Sequence, residues 1–72
     1  MEIIAKVVPR IRGWSGKSIF RLDNGQIYQQ RMAGNLRYDG NDSTVIISTN
    51  MMGKYKMKHQ GTGRTIGVKR ID

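Results

Sequence analysis

Ser18-Ile19-Phe20-Arg21-Leu22-Asp23-Asn24-Gly25-Gln26-Ile27-Tyr28-Gln29-Gln30 is the stretch that decides the fold of this chain. Asn-Gly between two alternating runs is the strongest short-range hairpin signal, because both residues tolerate positive φ. A two-residue turn at Asn24-Gly25 predicts Leu22 opposite Ile27 and Phe20 opposite Gln29. Phe20, Leu22 and Ile27 then share the core face. Arg21 and Tyr28 pair on the other face, where a basic–aromatic contact can form.

Other strands lie on either side of this hairpin. From Ile3 to Arg12 the odd positions Ile3, Ala5, Val7, Pro9 and Ile11 are apolar, and Lys6, Arg10 and Arg12 fall on even ones. Period two reads as a strand with one buried face. Pro9 cannot donate to a ladder and marks a bulge or an edge. Met32 to Ser43 reads as irregular, with Leu36-Arg37-Tyr38 as a short strand inside it. Thr44 to Thr49 is rich in β-branched residues and reads as a central strand. Lys54 to Lys58 alternates strictly, with Tyr55 and Met57 on one face and the three lysines on the other. Thr65 to Ile71 closes the chain as the last strand. The expected core is Ile3, Ala5, Val7, Phe20, Leu22, Ile27, Val45, Ile47, Tyr55, Met57, Ile66 and Val68.

Short strands without a helical period make an all-β domain, and residues 1–72 form one domain. Five or six strands are expected to close into a small antiparallel barrel that hides its edges. The SH3-like barrel is favoured and the OB-like barrel is the alternative. An OB barrel often carries a helix between its third and fourth strands, and Gly34-Asn35 argues against one in 32–38. A chain this short buries only about 60% of its unfolded surface. It has no Cys, so packing and sheet closure must hold it.

No apolar run approaches the roughly 20 residues of a membrane span. The start, MEIIAKVVPR, lacks the basic-then-apolar pattern of a signal peptide. The expected address is cytoplasmic if Met1 is the native start, and periplasmic or envelope if a leader was removed.

The formal charge is +8 and the distribution of acids sharpens it. Glu2 and Asp72 are terminal, and Asp23, Asp39 and Asp42 sit at turn positions, where Asp bonds nearby backbone N–H groups. Residues 43 to 71 hold six Lys and Arg and no acid. Such a field attracts anionic partners, and it also serves solubility.

Gly13-Trp14-Ser15-Gly16-Lys17-Ser18 imitates the end of a phosphate-binding P-loop. The full motif requires its first Gly at position 11, which is Ile11. A hairpin follows instead of a helix, so no helix N-terminus faces a phosphate. The stretch reads as a Gly-flanked loop between the first two strands, with Trp14 capping the barrel end or standing exposed as a contact residue. His59 is the only histidine and has no acid near it in sequence. It reads as a solvated residue at a strand end, not as a catalytic base. One His and no Cys leave no zinc set. Met51, Met52 and Met57 read as core filler or as an adaptable peptide-binding patch. Neither an enzyme nor a cofactor is expected.

The functional lead is a basic–aromatic set. Lys54, Lys56 and Lys58 form a row on one strand. Arg21, Tyr28, Arg64, Lys69 and Arg70 extend it, and Trp14 and Tyr38 are available for stacking. A basic groove with aromatic platforms on a small barrel binds single-stranded nucleic acid. A solvated strand face needs the same alternation.

The order of motifs resembles a group of small bacterial β-domains of uncharacterised function. These carry G-W-x-G, then F-x-L-x-N-G-Q-x-[WY]-x-Q, a V-x-I strand, an N-x-x-G break and a final G-x-x-x-x-[VI]-x-V-x-R. Here they are Gly13 to Gly16, the hairpin from Phe20, Val45 to Ile47, Asn50 to Gly53, and Gly61 to Arg70. The resemblance covers nearly the whole chain. It implies a domain like the C-terminal part of exported proteins, brings no catalytic residues, and raises an envelope-associated role. The cell-wall polymer, a lipid surface or another protein then becomes the partner. A more distant likeness is to basic OB-fold RNA-binding proteins of translation.

The sequence thus leads to a non-catalytic binding module for an anionic partner, with single-stranded nucleic acid first. The alternative is a protein- or cell-envelope-interaction module of an exported bacterial protein. A monomer is favoured.

Overall fold

The computed structural model describes residues 2–72. They form eight strands and no helix: β1 (Glu2–Lys6), β2 (Gly13–Ser15), β3 (Ile19–Arg21), β4 (Ile27–Gln30), β5 (Asn35–Arg37), β6 (Thr44–Thr49), β7 (Tyr55–His59) and β8 (Thr65–Arg70). Six pair antiparallel in the order β1-β6-β7-β8-β4-β3, and β2 pairs with β5 in a separate ribbon. The six-stranded sheet curls until its edges meet. Val7, just past β1, bridges Leu22, just past β3. The Val8 N–H donates to the Arg21 carbonyl and the Asp23 N–H to the Lys6 carbonyl, each at 2.8 Å. The fold is a small all-β barrel-like one, as expected, and this seam covers what would be two open edges. No helix among the described residues is long and apolar enough to cross a membrane.

The hairpin forms one residue out of its expected register. Phe20 lies opposite Tyr28, and Arg21 opposite Ile27. The Leu22 N–H donates to the Gln26 carbonyl at 2.9 Å, and the Gly25 N–H to the Leu22 carbonyl at 3.0 Å. The loop is therefore three residues, Asp23-Asn24-Gly25. Gly25 has φ +89°, while no residue other than glycine among those described has positive φ. A type I′ turn needs positive φ at both central residues. Asn24 does not take it, so the turn is type I followed by a Gly bulge. Slipping a strand by one residue exchanges its faces. Tyr28 goes inside, with no exposed surface, and Ile27 moves to the outer face, half-buried. The Arg21–Tyr28 pair on the outside does not form.

The core is Ala5, Val7, Ile11, Trp14, Phe20, Leu22, Tyr28, Val45, Ile47, Met57, Ile66 and Val68, with Ile3, Leu36, Tyr38 and Tyr55 packed against it. Alternation placed β6, β7 and β8 correctly. Ile11, Trp14 and Tyr28 replace Ile27 in the expected set. The first strand stops at Lys6, short of Pro9, and Ile11 reaches the core from the loop beyond it.

Gly13-Trp14-Ser15 is a strand and not the expected loop, with Trp14 opposite Leu36. The Trp14 indole meets the Phe20 ring edge-on at 6.2 Å between centroids. Gln30 ties the ribbon region down. Its amide donates to the Met32 and Gly34 carbonyls, and its Oε1 accepts from the Gly16 N–H, all at 2.9 Å.

Met51 and Met52 correct the core-filler reading. They project from the β6–β7 turn and are 103% and 78% exposed, whereas Met57 is fully buried. Asn50 builds that turn, its Oδ1 accepting from the Met52 N–H at 2.9 Å and the Lys54 N–H at 3.0 Å.

Candidate anion-binding surface

The odd residues of β7 point inward, so Lys56 and Lys58 stand exposed on the outer face, with Lys54 just before the strand. Lys56 lies between Ser48 and Gly67, and Lys58 between Ile46 and Thr65. The expected lysine row is real. It does not gather the rest of the basic set. Arg21 is on β3, at the other side of the sheet from β7. Arg64 lies in the β7–β8 turn, at the opposite end of β7 from Lys54.

Lys54, Lys69 and Arg70 do come together. The β7–β8 ladder ends at Tyr55 opposite Val68, while β8 runs on beside β4. A cleft of about 270 Å³ opens there, lined by Arg31, Gly53, Lys54, Tyr55, Val68, Lys69 and Arg70. A second cleft of about 550 Å³ is lined by Gly16, Lys17, Gln29, Gln30, Arg31, Met32, Ala33 and Lys69. Arg31 and Lys69 belong to both, and no carboxylate lines either.

Arg31 was not legible as a site residue. Beyond β4 its N–H donates to the Gly67 carbonyl at 2.8 Å. This continues the β4–β8 pairing by one residue, so Arg31 follows Gln29 on the outer face. Gly67 has no side chain to stand in the way. A Cβ there would lie 2.9 Å from an Arg31 guanidinium nitrogen and 2.8 Å from Met32 Cγ. The signal in the sequence is parity past Gln29, but it is usable only once the register with β8 is known.

The aromatic half of the expected set behaves differently. Trp14 and Tyr28 are core residues, so neither ring is an exposed stacking platform. Tyr38 is half-buried; its hydroxyl accepts from the Asp42 N–H at 3.1 Å, and its ring meets that of His59 edge-on at 4.4 Å. Tyr55 is the aromatic residue on the cationic cleft, and its ring abuts Tyr28 at 5.5 Å. Burial raises the Tyr28 phenol above its ordinary value; Tyr55 adds to this and Arg70 opposes it.

His59 is not solvated. It is fully buried. Its Nε2 lies 2.6 Å from the Asp42 carbonyl oxygen and its Nδ1 3.0 Å from Thr62 Oγ1. A carbonyl only accepts, so Nε2 carries a proton and donates. The Asp42 carboxylate is turned to other work. Its Oδ1 accepts from the Thr44 N–H at 2.9 Å. That bond and one from the Thr44 side chain hold Asp42 below its ordinary value. His59 lines neither cleft.

The Gly16-Lys17-Ser18 segment offers no phosphate cradle. The Gly16 N–H is taken by Gln30, and the Ser15 N–H donates to Ser18 Oγ at 3.0 Å. Comparison of the chain with family profiles, curated proteins and solved structures finds no match.

Proposed function

We propose that this chain is a non-catalytic binding module for an anionic polymer, with single-stranded nucleic acid as the first candidate. The observation that carries this reading is the cleft at the end of β7, where Arg31, Lys54, Lys69 and Arg70 converge beside Tyr55 with no lining carboxylate. Unopposed cations at close range raise the local concentration of anions. Tyr55, half-buried and packed on Tyr28, lines this cleft and offers a base the part of it that stays exposed. A small barrel of SH3-like or OB-like kind suits this use. His59, whose two ring nitrogens are both engaged in holding loops, has no part in this site.

The test is fluorescence anisotropy of labelled single-stranded RNA and DNA at about 50 and 200 mM salt, where phosphate contacts must weaken with salt. Micromolar or tighter binding that survives heparin competition is the expected result. No binding at the lower salt overturns the reading.

Met51 and Met52 favour a second reading, a protein- or envelope-interaction module. Two fully displayed thioether side chains on a turn form an adaptable apolar contact. The resemblance to small bacterial β-domains belongs with this reading.

A further inference from the structure

Lys54, Lys56 and Lys58 suggest a ligand lying along β7. The clefts suggest a different course. Both are lined by Arg31 and Lys69, so these two side chains form a ridge common to both. Lys54, Tyr55 and Arg70 stand on one side of the ridge and Lys17 on the other. Lys56 and Lys58 line neither cleft. Arg31 is anchored by its backbone bond to Gly67, and its planar guanidinium is suited to two-pronged contact with a phosphate.

Resting on the function proposed above, we infer that single-stranded nucleic acid crosses the sheet from the Lys54–Arg70 cleft, over the Arg31–Lys69 ridge, to the Lys17 cleft, with one base against Tyr55. The strand contacts up to five cations on this path: Arg70, Lys54, Lys69, Arg31 and Lys17. A duplex keeps its bases paired inside and leaves Tyr55 without a partner. A sulfated sugar or a lipid headgroup offers the tyrosine ring no base to stack on.

Two charge-matched double variants test the path. Arg31→Gln with Lys69→Gln removes two positive charges from the ridge, and Lys56→Gln with Lys58→Gln removes two from the β7 row. All four residues are exposed, so both proteins should melt close to the parent, which is checked by circular dichroism. Binding is read by anisotropy of a labelled oligothymidylate. For five phosphate contacts on a single strand, log affinity falls with log salt at a slope near −3.5, about a 100-fold loss between about 50 and 200 mM. The ridge variant is expected to bind at least about tenfold more weakly at the lower salt and to flatten the slope by about 1.4. The β7 variant is expected to stay within about threefold. Equal losses in the two variants overturn the crossing path while leaving the binding module intact. An unmodified chain that fails to bind at the lower salt overturns the function itself.

The base contact has its own readout. Tyr55→Leu is expected to weaken oligothymidylate binding at least about fivefold, the low end for one stacked base, and to leave heparin binding unchanged. Tyr55→Phe keeps the ring and is expected to restore it. Equal loss toward both ligands, or no loss toward either, removes the base from Tyr55 and makes the cleft a general polyanion site.

Discussion

The Arg31 guanidinium rests beside the bare α-carbon of Gly67, where a Cβ would come within 2.9 Å of one of its nitrogens. The neighbouring Met32 sulfur sits as close, 2.5 Å from the same point. Both contacts involve the ends of flexible side chains, so a methyl group displaces them at small cost. Alanine also suits a strand better than glycine by roughly 0.5–1 kcal/mol. Gly67→Ala is therefore expected to melt within a few degrees of the parent and still to lose oligonucleotide affinity, because Arg31 leaves the ridge. A Gly67→Ala protein that binds as tightly as the parent would detach Arg31 placement from ligand binding. Paired melting and anisotropy measurements decide it.

His59 ties the β7–β8 turn to the loop that runs from Tyr38 to Asp42. Its ring bonds the Asp42 carbonyl and the Thr62 hydroxyl and packs on Tyr38. His59→Ala leaves a buried carbonyl without a donor, which costs about 1–3 kcal/mol, and opens a cavity that adds to it. For a domain of this size each kcal/mol shifts Tm by roughly 4–8 °C. The expected drop is at least about 10 °C. His59→Gln, whose amide can both donate and accept, is expected to lose less than half as much. An alanine variant that melts with the parent would show that the two bonds are replaced by water.

What the sequence made legible follows from which interactions are local. Strict alternation in Lys54–Lys58 is enough to send Tyr55 and Met57 inward, because period two has only one buried face. Extending the same parity by one residue also sends His59 inward. Its polar character argued otherwise, since the groups that satisfy it lie three and 17 residues away in the chain. Asn24-Gly25 announces a turn but not its length. A two-residue loop and a three-residue loop with a Gly bulge both accept this dipeptide. The choice rests on whether Tyr28 or Gln29 faces Phe20, and the aromatic pairing with Tyr55 lies on another strand. Arg31 escaped for the same reason. Its neighbour Gly67 is 36 positions away, and only the β4–β8 register brings them together.

Gly13 carries the β2–β5 ribbon. Its φ is +110°, and a Cβ built on it falls onto the Leu36 carbonyl oxygen. Gly13→Ala must therefore strain the backbone and push β5 away, at a cost on the order of 2 kcal/mol or more. Trp14 is the next residue, and it is the only tryptophan in the chain. Its emission reports directly on the ribbon. The variant is expected to show a red-shifted spectrum and a lower Tm. An unshifted spectrum would mean that the ribbon accommodates the methyl group without releasing Trp14.

Two groups set opposite edges of the pH range for stability. Burial holds the Tyr28 phenol above its ordinary value of 10.0, and its hydroxyl donates to Gln26 Oε1 at 3.2 Å. The unfolded chain loses this proton at lower pH than the folded one. The stabilisation is thus complete below about pH 10 and is lost as the pH rises through the folded value. Asp42 works in the reverse direction. Bonds from Thr44 hold it below its ordinary 3.8. Its contribution is present above that value and is lost as the pH falls through the folded one. Urea midpoints measured across the pH range should therefore fall at both ends. Tyr28→Phe is expected to flatten the alkaline limb and leave the acid limb unchanged, and Asp42→Asn to do the opposite. If Tyr28→Phe falls as steeply as the parent above about pH 10, the alkaline loss does not come from Tyr28.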